Sequence, residues 1–526
     1  MILLGNRPLF QSREISLHTF SVMARTVFPG CFYDIFLKKG TNKLKTYEPA
    51  FSSNLQPRLS FVSQEQLDEI HFATVEVLQK TGVKVSHPEA IGLLKNAGAY
   101  VREDRAYIPE HLVKEALASA PSRVVLSDRE GNRSLYLEKY RTYYGLGSDL
   151  PFTIDLWTGE RRPSVLKDVV NASRLVDALP NYDFMMSFAI ATDAGERFSY
   201  LHQFSAMAEN TVKPVILTAK DETDLLRIFE IAAAIAGGFD ELRKSPFIAV
   251  YAEPISPLVH SPAGTAKLLA CAEYGIPAVY TPGMGAGMNG PCTLAGLLTQ
   301  ANAELLSGLV IHQLKKKGAP FIYGGCPSIA DMKTSIFPYG CPEWHMDSVV
   351  LSQMARYYDL PIFSTGGCSD AITFDQQAGI ELGYSLLLAQ LSGANLIHDV
   401  GYLESGLTGS LESLVVCDET IGLVRRIGKG ITINRESLAV EVMERVGPGG
   451  DFIADEHTFE HYRNEFWYPE LLNRKRYDDW KEEGALTLGE KANAKAKKVL
   501  GEHEPLPLKS EVKEKIAEIL QRPGPV

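Results

Sequence analysis

The chain has 526 residues, 45% hydrophobic, 22% charged and 9% aromatic, with 53 Lys+Arg against 64 Asp+Glu for a formal charge of −11. So much apolar residue excludes disorder as the dominant state, and the acidic balance excludes a sequence-independent grip on nucleic acid, which needs a basic surface. Seven cysteines form no CxxC pair and no run of about 18 apolar residues occurs, so a reducing, cytoplasmic setting without a membrane span is expected. Residues 1–56 carry a basic excess but lack a signal-peptide core, and are read as a loosely ordered extension. From Ser63 to Lys80, Leu67, Ile70, Ala73, Val77 and Leu78 recur at helical spacing between an N-cap at Ser63 and a stop at Gly82. Short helices are expected at 88–97 and 109–119, making 57–135 an N-terminal helical subdomain.

Beyond it, short β-rich runs sit at 141–147, 183–190, 213–219, 247–252, 277–281, 320–324, 361–366 and 395–400. Helical stretches follow them at 165–178, 198–210, 222–237, 262–275, 293–316, 343–358, 373–392 and 411–428. Eight strands each followed by a helix predict an α/β fold, a (β/α)8 TIM barrel, over 136–430. Near-continuous apolar strands fit a parallel sheet covered on both faces, and a doubly wound open sheet is the alternative. PFTIDLWTGERRPS reads as a hairpin turning at Thr158-Gly159. The charged segment 431–526 reads as a C-terminal helical extension packed on the barrel exterior.

Function in such a barrel belongs at the C-terminal strand ends. Strand one ends at Gly145–Asp149, strand four at Glu253-Pro254, and strand eight at His398-Asp399. Strand five runs into Gly283-Met284-Gly285-Ala286-Gly287-Met288-Asn289-Gly290; strand six gives Gly325-Cys326, then Asp331 and Phe337-Pro338-Tyr339; strand seven gives Gly367-Cys368-Ser369-Asp370. The GxGxxG at 285–290 lacks the following strand and acidic residue of a dinucleotide site. Its glycines either form a tight turn or, with Met284 and Met288, leave open apolar surface above the mouth. Cys326, Cys341, Cys368 and His345 show no compact zinc spacing, so no metal is expected. Tyr143, Tyr144, Tyr251, Tyr280, Tyr323, Phe337, Tyr339, Trp344 and Phe374 lie near strand ends, where rings hold a quaternary ammonium by cation–π attraction or simply fill core.

At these residues the chain resembles the trimethylamine methyltransferase family, in the branch without pyrrolysine. The likeness spans 58–520 and includes LSFVSQEQLDEIHFATVEVLQKTGVKV, YIPEHLVKEALASAP, DLWTGERRPS with Asp168, DMKTSIFPYGCPE, GGCSDAITFDQQAG and AKKVLGEHEPLPL. The resemblance implies a barrel that moves a methyl group from an amine to the cobalt of a corrinoid (cobalamin, Co(I)) on a separate protein. The trimethylamine branch carries pyrrolysine where this chain has Gly367-Cys368-Ser369-Asp370. That implies catalytic positions at Gly367, Cys368 and Asp370 and a quaternary substrate: glycine betaine first, giving dimethylglycine, with proline betaine and carnitine as alternatives.

Candidate substrate-binding residues are His345, Trp344, Phe337, Tyr339, Asp331, Tyr144, Tyr323, Glu253, Phe374 and Gln377. Candidate corrinoid-facing residues are Gly283, Gly285, Gly287, Met284, Met288 and Gly325. His345, at a helix start, is the first choice as hydrogen-bond donor to a substrate carboxylate. The small-molecule quaternary amine and the corrinoid protein are the expected partners, and a homo-oligomer is expected. The alternative class is a barrel lyase or isomerase acting on a phosphorylated substrate, which needs a catalytic Lys or paired carboxylates; the strand ends offer only Lys220.

Overall fold

The structure, a computed structural model, describes residues 57–195 and 198–522, so the extension at 1–56 lies outside the described residues. Parallel pairing runs in an unbroken ring. Tyr143–Tyr144 pairs with Leu396–His398, which pairs with Phe363–Thr365. Ile362 bridges to Tyr323 of Phe321–Tyr323, followed by Ala278–Tyr280, Ile248–Ala252 and Val215–Leu217. Single bridges from Val215 to Met185 and from Phe184 to Gly145 close the ring. The fold is the expected (β/α)8 barrel. Its second strand is held by those single bridges instead of a ladder.

The helices between strands are Leu166–Ala178, Ser199–Asn210, Glu222–Ala236, Pro262–Tyr274, Leu294–Lys315, Pro342–Tyr357, Gln376–Ser392 and Leu411–Gly428. Several start at side-chain caps: Asp221, Ser261, Asp375 and Ser410 each accept from backbone N–H groups of the first turn. These caps lie on the strand-end face, so they fix where each loop over the mouth finishes. Leu294–Lys315 is long and apolar enough to cross a membrane by length and composition, but 78% of its apolar window is buried inside the fold.

In the segment 57–135 the helices Gln64–Glu76, Pro88–Asn96 and Glu110–Ser119 form where the periodicity places them, the first with a capping box between Ser63 and Gln66. Short strands lie between them. Val83–Val85, Arg105–Tyr107 and Tyr100–Arg102 join Val259–His260 in a four-stranded sheet, and Val124–Ser127 pairs with Arg133–Leu137. At the other end, Leu488–Glu502 buries Ala492, Ala496 and Leu500, and its Asn493 donates to the Leu156 carbonyl at 2.9 Å and to Glu412 at 2.7 Å.

Helix Leu294–Lys315 approaches strand five closely at Gly308, where a Cβ would lie 2.3 Å from the Tyr280 ring. Overpacking of this kind costs about 1–3 kcal/mol, more than the roughly 1 kcal/mol that Ala gains over Gly in a helix. Gly383, in helix Gln376–Ser392, has open space around its would-be Cβ. Gly308→Ala should therefore lower the thermal midpoint and Gly383→Ala raise it, as read by circular dichroism melting; equal shifts would contradict the packing.

Candidate active site

The seam where strand eight meets strand one sets the geometry of the mouth. A Cβ on Gly147 would lie 2.1 Å from Asp399 Oδ1 and 2.3 Å from the Tyr402 hydroxyl, so this backbone position admits no side chain. Asp399 itself sits in the left-handed region, with φ 65°, just past the strand. His398 Nδ1 lies 2.7 Å from the Ser364 carbonyl, which can only accept, so Nδ1 carries a proton. Its Nε2 faces Asp399 Oδ2 at 3.1 Å and Cys326 Sγ at 3.8 Å. Burial raises the Asp399 carboxyl, against the pull of His398 and the Thr365 hydroxyl.

Two more carboxyls share this mouth. Asp149, after strand one, is pushed up to about 6 by burial and has an oxygen, Oδ1, with no hydrogen-bond partner. Glu253, after strand four, is raised by burial against the opposing effects of the Tyr251 hydroxyl, which donates to it at 3.1 Å, and of Lys267. Glu253 is reached by solvent and yet desolvated, as befits a group inside a concave mouth. The Tyr339 hydroxyl is pushed up by burial and then by Asp399 and Glu253 among its neighbours; that of Tyr402 by burial, Asp399 and Asp149. These rings are therefore neutral phenols facing a shared acidic space. The basic groups that act on these carboxyls are Lys267, whose ammonium donates to the Ala219 carbonyl at 3.0 Å, and the His398 ring.

The aromatic wall stands on the loop after strand six. Tyr339 meets fully buried Trp344 edge-on with centroids 4.2 Å apart, and Phe337 lies 6.0 Å from Tyr339. Asp370 pins this loop, accepting from the Tyr339 N–H at 2.6 Å, the Gly340 N–H at 2.9 Å and the Ser405 hydroxyl at 2.8 Å. Glu381 in turn accepts from the Asp370 N–H at 2.8 Å, the Ser369 hydroxyl at 2.6 Å and Gln377 at 3.0 Å. Asp370 and Gln377 thus act on the loop. Gly367, with φ 74°, donates its N–H to the Ser385 hydroxyl at 2.9 Å. Buried Cys368 donates towards the Tyr339 carbonyl at 3.6 Å, and burial pushes its thiol up, so it stays a neutral thiol.

His345 is placed behind this wall. It is 2% exposed, its Nε2 donates to the Tyr339 carbonyl at 3.2 Å, and burial pushes it down to about 4, so it is neutral near pH 7. Tyr144 and Tyr323 are fully buried and donate outward to Gln390 and Asn302 of the surrounding helices, at 2.8 and 3.0 Å. Asp331 accepts from the Lys333 N–H at 2.8 Å, a local turn, while Phe374 is half-buried ahead of helix Gln376–Ser392. Gly283–Ala286 and Cys326–Ile329 form a parallel ribbon; Gly283, Gly287 and Met288 are exposed on it, whereas Met284, Gly285 and Gly325 are buried. Met284 packs with Leu297 and Ala301. Tyr402 is the mouth residue that strand-end reasoning missed, lying four residues past strand eight; Asp149, His398 and Asp399 were visible as strand ends without a role. Among the described residues no group of three or more His, Cys, Asp or Glu is arranged to hold a metal ion.

A family model described as trimethylamine methyltransferase (MTTB) matches residues 38–523. The chain belongs to that family. The trimethylamine methyltransferase MttB of Desulfitobacterium hafniense strain DCB-2 is 32% identical, over 88% of this chain and 94% of that protein. The glycine betaine methyltransferase of strain Y51 is 29% identical, over 89% and 98%. Among solved structures, the monomethylamine methyltransferase (MtmB) of Methanosarcina barkeri aligns at a TM-score of 0.49 and 11% identity, covering 85% of this chain and 89% of that one.

Asp149 supplies a pH test. Its ordinary value is 3.8 and its folded value about 6, so the fold retains a proton that the unfolded chain releases, and stability falls as pH rises through that window. Asp149→Asn should raise the thermal midpoint at pH 7 and change it little at pH 4; an equal shift at both would contradict the assignment. For the loop pin, Asp370→Ala removes three accepted hydrogen bonds. It should lower turnover at least tenfold by releasing Tyr339, since bonds to a carboxylate contribute about 1.5–3 kcal/mol each.

Proposed function

We propose that this chain transfers a methyl group from a quaternary amine to the Co(I) of a corrinoid carried by a separate protein. The observation that carries this reading is the mouth itself: three carboxyls raised by desolvation, Asp149, Glu253 and Asp399, beside neutral tyrosine rings, with the neighbouring basic groups Lys267 and His398 already engaged. Such a space attracts an organic cation. A quaternary nitrogen makes its methyl carbon electrophilic, and the amine leaves neutral, so Co(I) can displace it in line without acid catalysis on the leaving group. The substrate loses its charge in that step, so the site must not hold the cation too tightly. Carboxyls with raised pKa values and phenol rings moderate the attraction.

For the corrinoid partner, support comes from exposed apolar side chains on the strand-end loops. Ile255, Met288, Met332, Ile336, Ile372 and Leu407 crown the loops after strands four to eight. A broad macrocycle can dock on such a rim, and Gly283 and Gly287 let it approach backbone.

Glycine betaine, giving dimethylglycine, is the finer assignment favoured on sequence, and one relative bears that name. Its carboxylate would enter a mouth that already holds three, and His345 gives its Nε2 to the Tyr339 carbonyl. The mouth therefore favours a quaternary amine whose fourth substituent is uncharged, such as choline or tetramethylammonium, over betaines at neutral pH. Purified protein with cob(I)alamin should form methylcob(III)alamin, followed by its visible spectrum, faster with choline than with glycine betaine. Turnover on betaines alone would reverse that ranking and leave methyl transfer standing; no turnover on any quaternary amine would sink the transfer itself. Asp399→Asn should raise KM for the cation about tenfold, the worth of one partly screened charge contact of ~1–2 kcal/mol.

A further inference from the structure

Away from the carboxyls of the mouth, a cavity of about 520 Å³ opens between helix Gln64–Glu76 and the barrel helices Leu294–Lys315 and Pro342–Tyr357. Phe61, Ile70, Leu298 and Val350 give it apolar walls, and the small residues Ala73 and Gly296 leave space between them. Its frame is tied on both sides. Gln353 accepts from the Phe61 N–H at 2.9 Å and donates to the Val62 carbonyl at 2.9 Å, while Asn302 donates to the Thr74 hydroxyl at 2.9 Å. The space is therefore built into the packing of three helices, and it has the size of sites that take small organic molecules.

Asp347 sets the chemistry of the cavity. It is 1% exposed, it lines the space, and its Oδ2 has no hydrogen-bond partner among the described residues. A buried carboxyl oxygen left unpaired is costly, and a ligand that donates to it recovers that cost. Burial, and then Glu343 on the same helix, push this carboxyl up to about 8. Glu69 lines the cavity from the first helix, helix Leu294–Lys315 contributes only uncharged residues, and among the described lining residues there is no Lys or Arg. The acidic charge is thus unmet. Helix Leu294–Lys315 does start here without a side-chain cap, which attracts anions, but two lining carboxyls oppose that attraction. Apolar walls beside an unpaired carboxyl match an amphiphilic cation. The missing partner must also donate a hydrogen bond, which a quaternary nitrogen cannot do and an ammonium with N–H can.

We propose that this cavity is a second binding site, separate from the mouth, for an organic ammonium ion that carries an apolar body and at least one N–H, donated to Asp347. The apolar body lies against Ile70, Leu298 and Val350, and the ammonium end meets the two carboxyls. The site and the mouth then differ in what they can hold: the mouth offers rings and several carboxyls to any organic cation, whereas Asp347 selects for a hydrogen-bond donor.

The test is calorimetry of the full chain with octylammonium, octan-1-ol, octanoate and octyltrimethylammonium. At pH 8 octylammonium should bind at least about tenfold more tightly than octan-1-ol or octanoate, the weight of one charge-assisted hydrogen bond. Asp347→Asn should remove that preference and leave octyltrimethylammonium, which has no N–H, unaffected. Affinity for octylammonium should rise at least about tenfold from pH 6 to pH 8, because the Asp347 carboxyl must ionise to pair with it while the ammonium, like a lysine, stays charged. Should Asp347→Asn fail to fold, Ala73→Phe, which fills the cavity from the first helix, should abolish octylammonium binding instead. No binding of octylammonium, equal binding of octan-1-ol, tighter binding of octanoate, or a preference that survives Asp347→Asn or Ala73→Phe overturns the proposal.

Discussion

Closing eight parallel strands into a ring forces strand eight against strand one, and at that seam the bare backbone of Gly147 makes room for Asp399 and the Tyr402 hydroxyl. Everything distinctive about the mouth depends on that close approach. It seats the Asp399 carboxyl beside His398, in surroundings dry enough to raise it. The Tyr402 hydroxyl, donating to the Ser148 carbonyl at 2.6 Å, ties the same seam to the loop that carries Asp149. Strand four adds Glu253 from across the mouth. The result is an acidic, tyrosine-lined space with carboxyls on several sides of the mouth.

That arrangement suits a substrate that arrives charged and departs neutral. Attraction is needed for binding, but excess attraction would raise the barrier to losing the charge. Aromatic faces and half-desolvated carboxyls sit between those limits. The aromatic loop after strand six is held from elsewhere: Asp370 on the strand-seven loop grips its backbone, and His345 supports the Tyr339 carbonyl from behind.

The alternation of apolar runs and helical stretches was long enough to read as a barrel, because each helix spans three or more turns, some, such as Pro262–Tyr274 and Leu294–Lys315, buried nearly all round. The strands of 83–107 were not legible, being three residues each, too short for a period of two to register. The same brevity hid side-chain direction within the barrel. Strand one shows only Tyr143–Tyr144, and nothing in two residues says that Tyr144 points outward to Gln390. Strand ends were legible as positions, so Glu253, Cys326 and Asp399 stood out, while what Asp370 and His345 grip depends on where a neighbouring loop passes. The charged C-terminal segment looked uniform in sequence; in the structure Leu488–Glu502 and Ser510–Gln521 bury apolar residues and 429–470 does not.

The central claim is that the mouth recognises a positive charge. The direct measurement compares the binding of choline with that of its neutral isostere 3,3-dimethylbutan-1-ol by calorimetry, in the wild type and in Asp399→Asn. The account predicts that the wild type binds the cation at least about tenfold more tightly than the neutral compound, a difference of roughly 1.4 kcal/mol, and that the substitution narrows the gap. Equal affinity for the two in the wild type would contradict it.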